Sequence, residues 1–351
     1  MKLLKLRNAA IAVMMFTAFA AASHAQTNDE IFKTGLADLN ASRYEQGIDS
    51  FKRSIAAGYS LNASYFNLGS CYYGLKRYDE AVDALKSAVR EKADDYNSWV
   101  YLGNALDYLK KFDDAVQAYY KAIPIEPNNA MAYRELGVAQ RSQENYSSAA
   151  ASFKRAVDLD PSDAKSNTNL GICYRKLGRD AEAESALLKA ISIDATYLDA
   201  SYQLGFLYET QKKYADAVTR YKNVVRLRPD DSDAILGLGN VYYNQNNFES
   251  SLPYYKKATE IDPKWVLALV YLGDNYKALR NFEASIPAYE KALMQDPKNP
   301  DAIYGLGLCY VNLGNKNKAN QQYEKLKEID EAKAEKLLNL IASMPTTVTT
   351  E

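Results

Sequence analysis

The sequence predicts an all-α fold, an α-solenoid of nine 34-residue units closed by a C-terminal capping helix. Three observations predict it. Glycines stand at Gly35, Gly69, Gly103, Gly137, Gly171, Gly205, Gly239, Gly273 and Gly307, each 34 residues after the last, with no insertion or deletion. From the second unit on, a leucine precedes the glycine, a small residue follows it by twelve places and a large one by sixteen, as in Leu102, Ala115 and Tyr119. Pro127, Pro161, Pro229, Pro263 and Pro297 close five of the units. A fixed period of this length marks a repeat array in which each unit buries its apolar face only against its neighbours.

The clearest unit, "WVYLGNALDYLKKFDDAVQAYYKAIPIEP" from Trp99 to Pro127, carries W-x2-L-G, then A-x3-Y, then proline. It resembles the tetratricopeptide repeat, a helix-turn-helix family. The resemblance implies a right-handed superhelix of paired helices. It places nine repeats at 28, 62, 96, 130, 164, 198, 232, 266 and 300 within a solenoid over 26–333, then a capping helix over 334–344 and a disordered tail over 345–351.

Each recurring place has a physical reason. Glycine on the first helix and alanine on the second allow close backbone approach, and the large residues fill the space that remains. Proline ends the second helix and pushes its predecessor away from helical angles. Asp95, Asn129, Asp163, Asp231 and Asn299 then stand where the next first helix needs an N-cap. The ends depart from the pattern, as caps should. The first unit has Thr34 and Gly47 where leucine and alanine are expected, and after the ninth, "EAKAEKLLNLIASM" sets Ala334, Leu337, Leu338 and Ile341 on one helical side. Pro253 and Pro287, early in two second helices, are expected to tilt or kink them, and Asp180 replaces the usual turn aromatic of the fifth unit. Trp265 and Tyr197 occupy the cap place of two first helices, where a hydrophobic staple is the expected role.

The first residues read differently. Lys2, Lys5 and Arg7 precede the apolar run Ala9 to Ala22, and "SHA" precedes "QTNDE". This is the pattern of a secretory signal peptide cleaved after Ala25. The rival reading, a membrane anchor, needs about 20 apolar residues, and this run is shorter. The pattern suggests a bacterial envelope protein, periplasmic or secreted, with no membrane span in the mature chain.

The chain carries 43 basic and 44 acidic residues, and loss of the leader leaves 40 and 44, a net charge of −4. That balance gives no support for bulk nucleic-acid binding. The single histidine, His24, leaves with the leader, so no histidine relay or imidazole metal ligand remains. Cys71, Cys173 and Cys309 share one repeat place on well-separated helices, and are read as small buried thiols. Acidic pairs such as Asp113 and Asp114 fall at helix starts, where a carboxylate favours the helix dipole. No phosphate loop, metal motif or nucleophile elbow appears, so no cofactor, metal or catalytic residue is expected.

The binding surface follows from helical angles. At 100° per residue, Tyr133, Leu136, Gly137 and Gln140 centre on one side of a first helix, while Met131, Arg134, Val138 and Arg141 centre almost opposite. The family resemblance implies that this second stripe lines a concave groove that grips partners. Its candidate contact residues are Phe66, Tyr73, Asn104, Tyr108, Arg134, Arg141, Lys165, Arg175, Lys176, Tyr202, Phe206, Tyr243 and Tyr304. An exposed apolar stripe marks an interaction surface. The rival reading packs the larger side chains on the neighbouring first helix. Asn104 and Asn169 are isolated matches to the family's carboxylate clamp, which is incomplete in every run of three units. Arg141 shares its place with Asp107, Arg175 and Glu209, which are expected to pair as Asp107 with Arg141 and Arg175 with Glu209. Arg134 stands in an apolar row and is expected to be unpaired, free to hold an acidic group at the centre of a partner. The expected function is a non-catalytic scaffold for a protein or peptide partner. The alternative is a glycan-binding module with stacking tyrosines, and a third class, an enzyme, lacks a converging constellation.

Overall fold

The computed structural model describes residues 27–345. The predicted leader and all but Pro345 of the predicted tail lie outside the described residues. These form two compact units, divided between Ala183 and Glu184. Among the described residues there is no strand.

The first helices of the repeats are α1 (27–40), α3 (Leu61–Gly74), α5 (Tyr96–Tyr108), α7 (Ala130–Ser142), α9 (Ala164–Lys176), α11 (Leu198–Thr210), α13 (Ser232–Asn244), α15 (Val266–Ala278) and α17 (Pro300–Asn312). The second helices are α2 (Tyr44–Ala56), α4 (Tyr78–Glu91), α6 (Phe112–Ala122), α8 (Tyr146–Leu159), α10 (Asp180–Ile193), α12 (Tyr214–Leu227), α14 (Phe248–Ile261), α16 (Phe282–Gln295) and α18 (Lys316–Lys327). A last helix, α19 (Glu331–Ala342), packs on α17 and α18. The architecture is all-α, of the α-solenoid class: consecutive helices pack on one another from α2 to α9 and from α11 to α19, and first helices of adjacent repeats also touch, as α5 does α7 and α15 does α17.

All five predicted N-caps form. The side chains of Asp95, Asn129, Asp163, Asp231 and Asn299 accept from the backbone N–H of Ser98, Met131, Lys165, Ala234 and Ala302. Second helices use the same device where the sequence supplies asparagine, at Asn145, Asn247, Asn281 and Asn315. The turn between paired helices repeats as faithfully as the glycine. In the third repeat Lys110 adopts φ 58°, and the Lys111 N–H returns to the Leu106 carbonyl at 2.9 Å. This left-handed closure satisfies carbonyls at the helix end. It recurs at each of nine places from Ser42 to Gly314, and glycine occupies only two, Gly178 and Gly314. α6 stops at Ala122 because Pro124 has no N–H to continue the ladder.

The recurring glycine admits a ring. A Cβ on Gly103 would lie 2.5 Å from Tyr119, and one on Gly273 2.6 Å from Tyr289. Tyr119, Tyr221, Tyr255 and Tyr289 are thereby almost wholly buried. In the last repeat the side chain over Gly307 comes from Leu337 of α19, which closes the array. Ala334, Leu337 and Ile341 are buried as expected, but Leu338 is 39% exposed, a correction to its assigned place on the apolar side. Pro253 and Pro287 lie inside α14 and α16, which run through them. Trp265 makes no capping bond with its side chain and packs on a core that includes Ile235 and Tyr255.

Candidate functional site

The first-helix stripe of the N-terminal unit opens on aromatic residues. Phe66 on α3 meets Tyr101 on α5 edge-on at 5.2 Å between ring centroids, and Tyr101 lies 6.0 Å from Tyr73. Tyr73 also packs against Tyr78 and Tyr108, at 5.5 and 5.6 Å. Tyr108 is 59% exposed and stacks on Tyr78 at 4.6 Å with only 6° between planes. Five rings from three helices thus form one continuous patch. Burial, with Tyr108 close by, pushes the Tyr73 phenol well above its ordinary range. Phe66 and Tyr73 are half-buried in this cluster, so the rival reading of packing on a neighbouring helix holds for both.

Next along the stripe, Asn104 accepts from the Tyr119 hydroxyl at 2.7 Å. Its carbonyl is thus committed to the second helix of its own repeat. The expected pair of Asp107 and Arg141 does not form an ion pair: Asp107 Oδ1 is buried without a hydrogen-bond partner. Burial raises the Asp107 carboxyl, Glu135 adds to the rise, and Arg141 pulls against it.

Arg134 overturns an expectation. Its guanidinium is not free: Nη2 meets Glu135 Oε1 at 2.9 Å, and Nη1 meets Asp163 Oδ2 at 3.2 Å. Its side chain keeps only 24% exposure. Burial alone would lower its pKa, but the two carboxylates override that and raise it. The reason was hidden in the repeat: Asp163 is the N-cap of the following first helix, and a long side chain one repeat earlier can reach it. Arg141 and Arg175 are half-buried, while Lys165 and Lys176 are exposed. The Lys176 ammonium lies 5.7 Å from the Tyr146 ring centroid. The exposed basic side chains of this face are therefore Lys165 and Lys176, beside the half-buried Arg141, rather than Arg134.

The C-terminal unit presents a different face. Tyr202 is half-buried against Tyr221 at 5.7 Å, and Phe206 is 36% exposed. Glu209 accepts from the Tyr221 hydroxyl at 2.9 Å and from Asn244 at 3.4 Å. Tyr243 packs on Phe248 and Tyr255 at 5.1 and 6.3 Å. Asn240 and Asp274 accept from Tyr255 and Tyr289 at 2.9 and 2.7 Å, as Asn104 does from Tyr119. Tyr304 lines a depression of about 460 Å³ with Tyr271, Asp274 and Asp301. The stripe is thus aromatic and basic in the first unit, aromatic and acidic in the second.

Tyr78, Tyr101, Glu135, Asn244 and Tyr271 belong to these surfaces, and angular reasoning did not select them. Three of them, Tyr101, Glu135 and Tyr271, share the place two before the recurring glycine, and that periodicity could have found them. Among the described residues no group of three metal-ligating side chains converges, and no helix is long and apolar enough to cross a membrane. The three cysteines are buried; burial pushes the Cys71 thiol up to about 12 and that of Cys173 to about 11.

Comparison with known proteins agrees with the helical pattern. Family profiles described as tetratricopeptide repeat match residues 32–97, 78–130, 102–164, 134–197 and 202–264, and another of the same description matches 276–343. No curated protein matches the chain. Among solved structures, the C-terminal part of a repeat protein from Cytophaga hutchinsonii superposes with a TM-score of 0.55 at 20% identity, covering 69% of this chain and 99% of that one. A repeat protein from Parabacteroides merdae gives 0.55 at 17%, covering 70% and 98%. The APC/C hetero-tetramer Cut9–Hcn1 gives 0.55 at 12%, covering 90% and 76%.

Proposed function

Because the chain belongs to the tetratricopeptide repeat family, we propose that it is a non-catalytic scaffold that holds an extended segment of a partner protein along its first-helix stripe. One observation carries this reading: in the N-terminal unit the exposed ring of Tyr108, at the edge of the five-ring patch, is followed along the stripe by Arg141, Lys165 and Lys176. A segment with an aromatic or aliphatic anchor followed by acidic residues complements that order. Buried anchors would supply most of the affinity, and the cations, of which Lys165 and Lys176 are exposed, orientation and on-rate.

The site of action in this reading is the bacterial envelope, periplasmic or secreted. The support is the basic, apolar and small-residue order of the first twenty-five residues. An N-terminus at Gln26 on protein recovered from the envelope fraction is the expected result; an intact leader on all of it would remove this part of the proposal.

The binding test is photo-crosslinking in the native host from Tyr108 and Lys165, with outward-facing Lys154 as control. Partner capture from the stripe but not from Lys154 supports the reading, and the reverse pattern overturns it. A second reading, glycan binding, is favoured by the coplanar Tyr78 and Tyr108 rings, since an exposed stacked ring can also receive a sugar face. Quenching of tyrosine fluorescence by cell-wall fragments, lost in Tyr108→Ala, is the outcome that would select it.

A further inference from the structure

The C-terminal unit holds a cavity of about 210 Å³ between α11, α13 and α15, which the basic chemistry of the first unit cannot explain. Its walls combine two carboxylates, Glu209 and Asp274, with the rings of Tyr243, Tyr255 and Tyr271 and the amides of Asn240 and Asn244. Tyr255 joins the rings into one wall, 6.3 Å from Tyr243 and 5.8 Å from Tyr271. The carboxylates come from different first helices, so the acceptors are spread around the cavity rather than clustered at one point. Their held contacts leave capacity: the described bonds to Asp274 both use Oδ1, from Lys277 and from the Tyr289 hydroxyl.

The charge of this space is unbalanced. Lys277 Nζ lies 2.5 Å from Asp274 Oδ1 and answers that carboxylate. Glu209 is held by neutral donors, the Tyr221 hydroxyl and the Asn244 amide. Burial raises the phenols of Tyr255 and Tyr271, and both Glu209 and Asp274 add to each rise, so the two carboxylates act on the same rings. Glu209 is half-buried and has lost part of its hydration without gaining a cation, and a cation entering between it and aromatic faces recovers both Coulomb and cation–π attraction.

We propose that this cavity receives an arginine side chain presented by the bound segment of the partner. A guanidinium suits it better than an ammonium: it is weakly hydrated, stacks on aromatic faces, and spreads five N–H donors in a plane to acceptors that stand apart. The inference rests on the scaffold reading, because a bound segment would carry the arginine. It adds a rule for the occupant: an arginine where the segment meets the second unit.

The test uses the full mature chain with fluorotyrosine at position 243, read by fluorine NMR, and capped tripeptides as probes. Acetyl-Gly-Arg-Gly-amide should shift the resonance saturably in the millimolar range. The citrulline peptide, of the same shape without charge, should not. Glu209→Gln and Asp274→Asn should each weaken the arginine peptide at least tenfold while circular dichroism stays unchanged. Equal binding of the citrulline or lysine peptide, or no saturable shift with arginine, overturns the assignment. Arg141→Glu, in the other unit, should leave this probe unaffected, so failure of the pocket and failure of the first-unit site are separable.

Discussion

The Tyr221 hydroxyl donates to Glu209 Oε2 at 2.9 Å, tying the second helix of the sixth repeat to the exposed stripe of its own first helix. The bond is the hydroxyl's way out of the core: the ring is buried against Gly205 and Gly237, and only its oxygen reaches the face. Burial raises the Glu209 carboxyl, and the Tyr221 bond opposes that rise without cancelling it. A carboxyl whose folded pKa exceeds its unfolded value of about 4.3 stabilises the fold below that value and loses the contribution as pH rises through the folded pKa. Glu209→Gln keeps an acceptor for Tyr221 and removes the titration. Its melting temperature should exceed that of the parent at neutral pH, with the gap closing toward pH 4 in a calorimetric series.

Asp163 has the opposite sign. Burial alone would raise its carboxyl, but the Ser166 hydroxyl, Arg134 and the Lys165 N–H bring it below the ordinary value. Its contribution is therefore present above the unfolded pKa and lost as pH falls through the folded one. Asp163→Ala removes an N-cap and also strips Arg134 of one of two carboxylates, so a loss of about 2 kcal/mol is expected, toward the upper end for a cap. Urea unfolding of Asp163→Ala and Asp163→Asn measures it; a loss under about 0.5 kcal/mol in the alanine variant would mean that the cap and the ion pair contribute little.

Gly103→Ala is expected to destabilise by about 1–2 kcal/mol, because overpacking against Tyr119 outweighs the helix-propensity gain of up to about 1 kcal/mol. The added Cβ would meet ring carbon, and the Tyr119 hydroxyl is fixed on Asn104, so the ring cannot simply withdraw. A shift in urea midpoint without a change in slope is the expected signature.

The turn predicts a contrast. Gly178 has φ 71° with nothing near its missing side chain, so Gly178→Ala should lose about 1 kcal/mol through backbone strain alone. Lys110 holds φ 58° with a side chain, so Lys110→Gly should gain a smaller amount, offset by the greater unfolded-state freedom of glycine. Thermal unfolding of both variants checks the pair of signs.

The thiols should be inert in the native chain. Near the ordinary thiol pKa of about 8.5, iodoacetamide should leave Cys71, Cys173 and Cys309 unmodified until denaturant is added. Burial raises all three and covers them. Mass spectrometry before and after denaturation reads the difference, and alkylation of the native chain at any of the three would contradict the packing.

The sequence by itself determined the period, the helix pairs, the five asparagine and aspartate caps, and which side of each first helix faces the core. All of these are local or strictly periodic: a glycine at a fixed interval, a capping side chain two or three residues from its N–H, an angle of 100° per residue. The tertiary structure alone decided what the stripe residues do there. Arg134 reads as a lone cation along its own repeat place, yet it is held by Asp163, 29 residues later, because the next helix brings its cap within reach. Asn104 reads as a groove polar, yet it is fixed by a tyrosine fifteen residues on, as are Asn240 and Asp274. Periodicity fixes the angle at which a residue leaves its helix; the reach and rotamer of its side chain across the gap to the next helix depend on the packed distance between them.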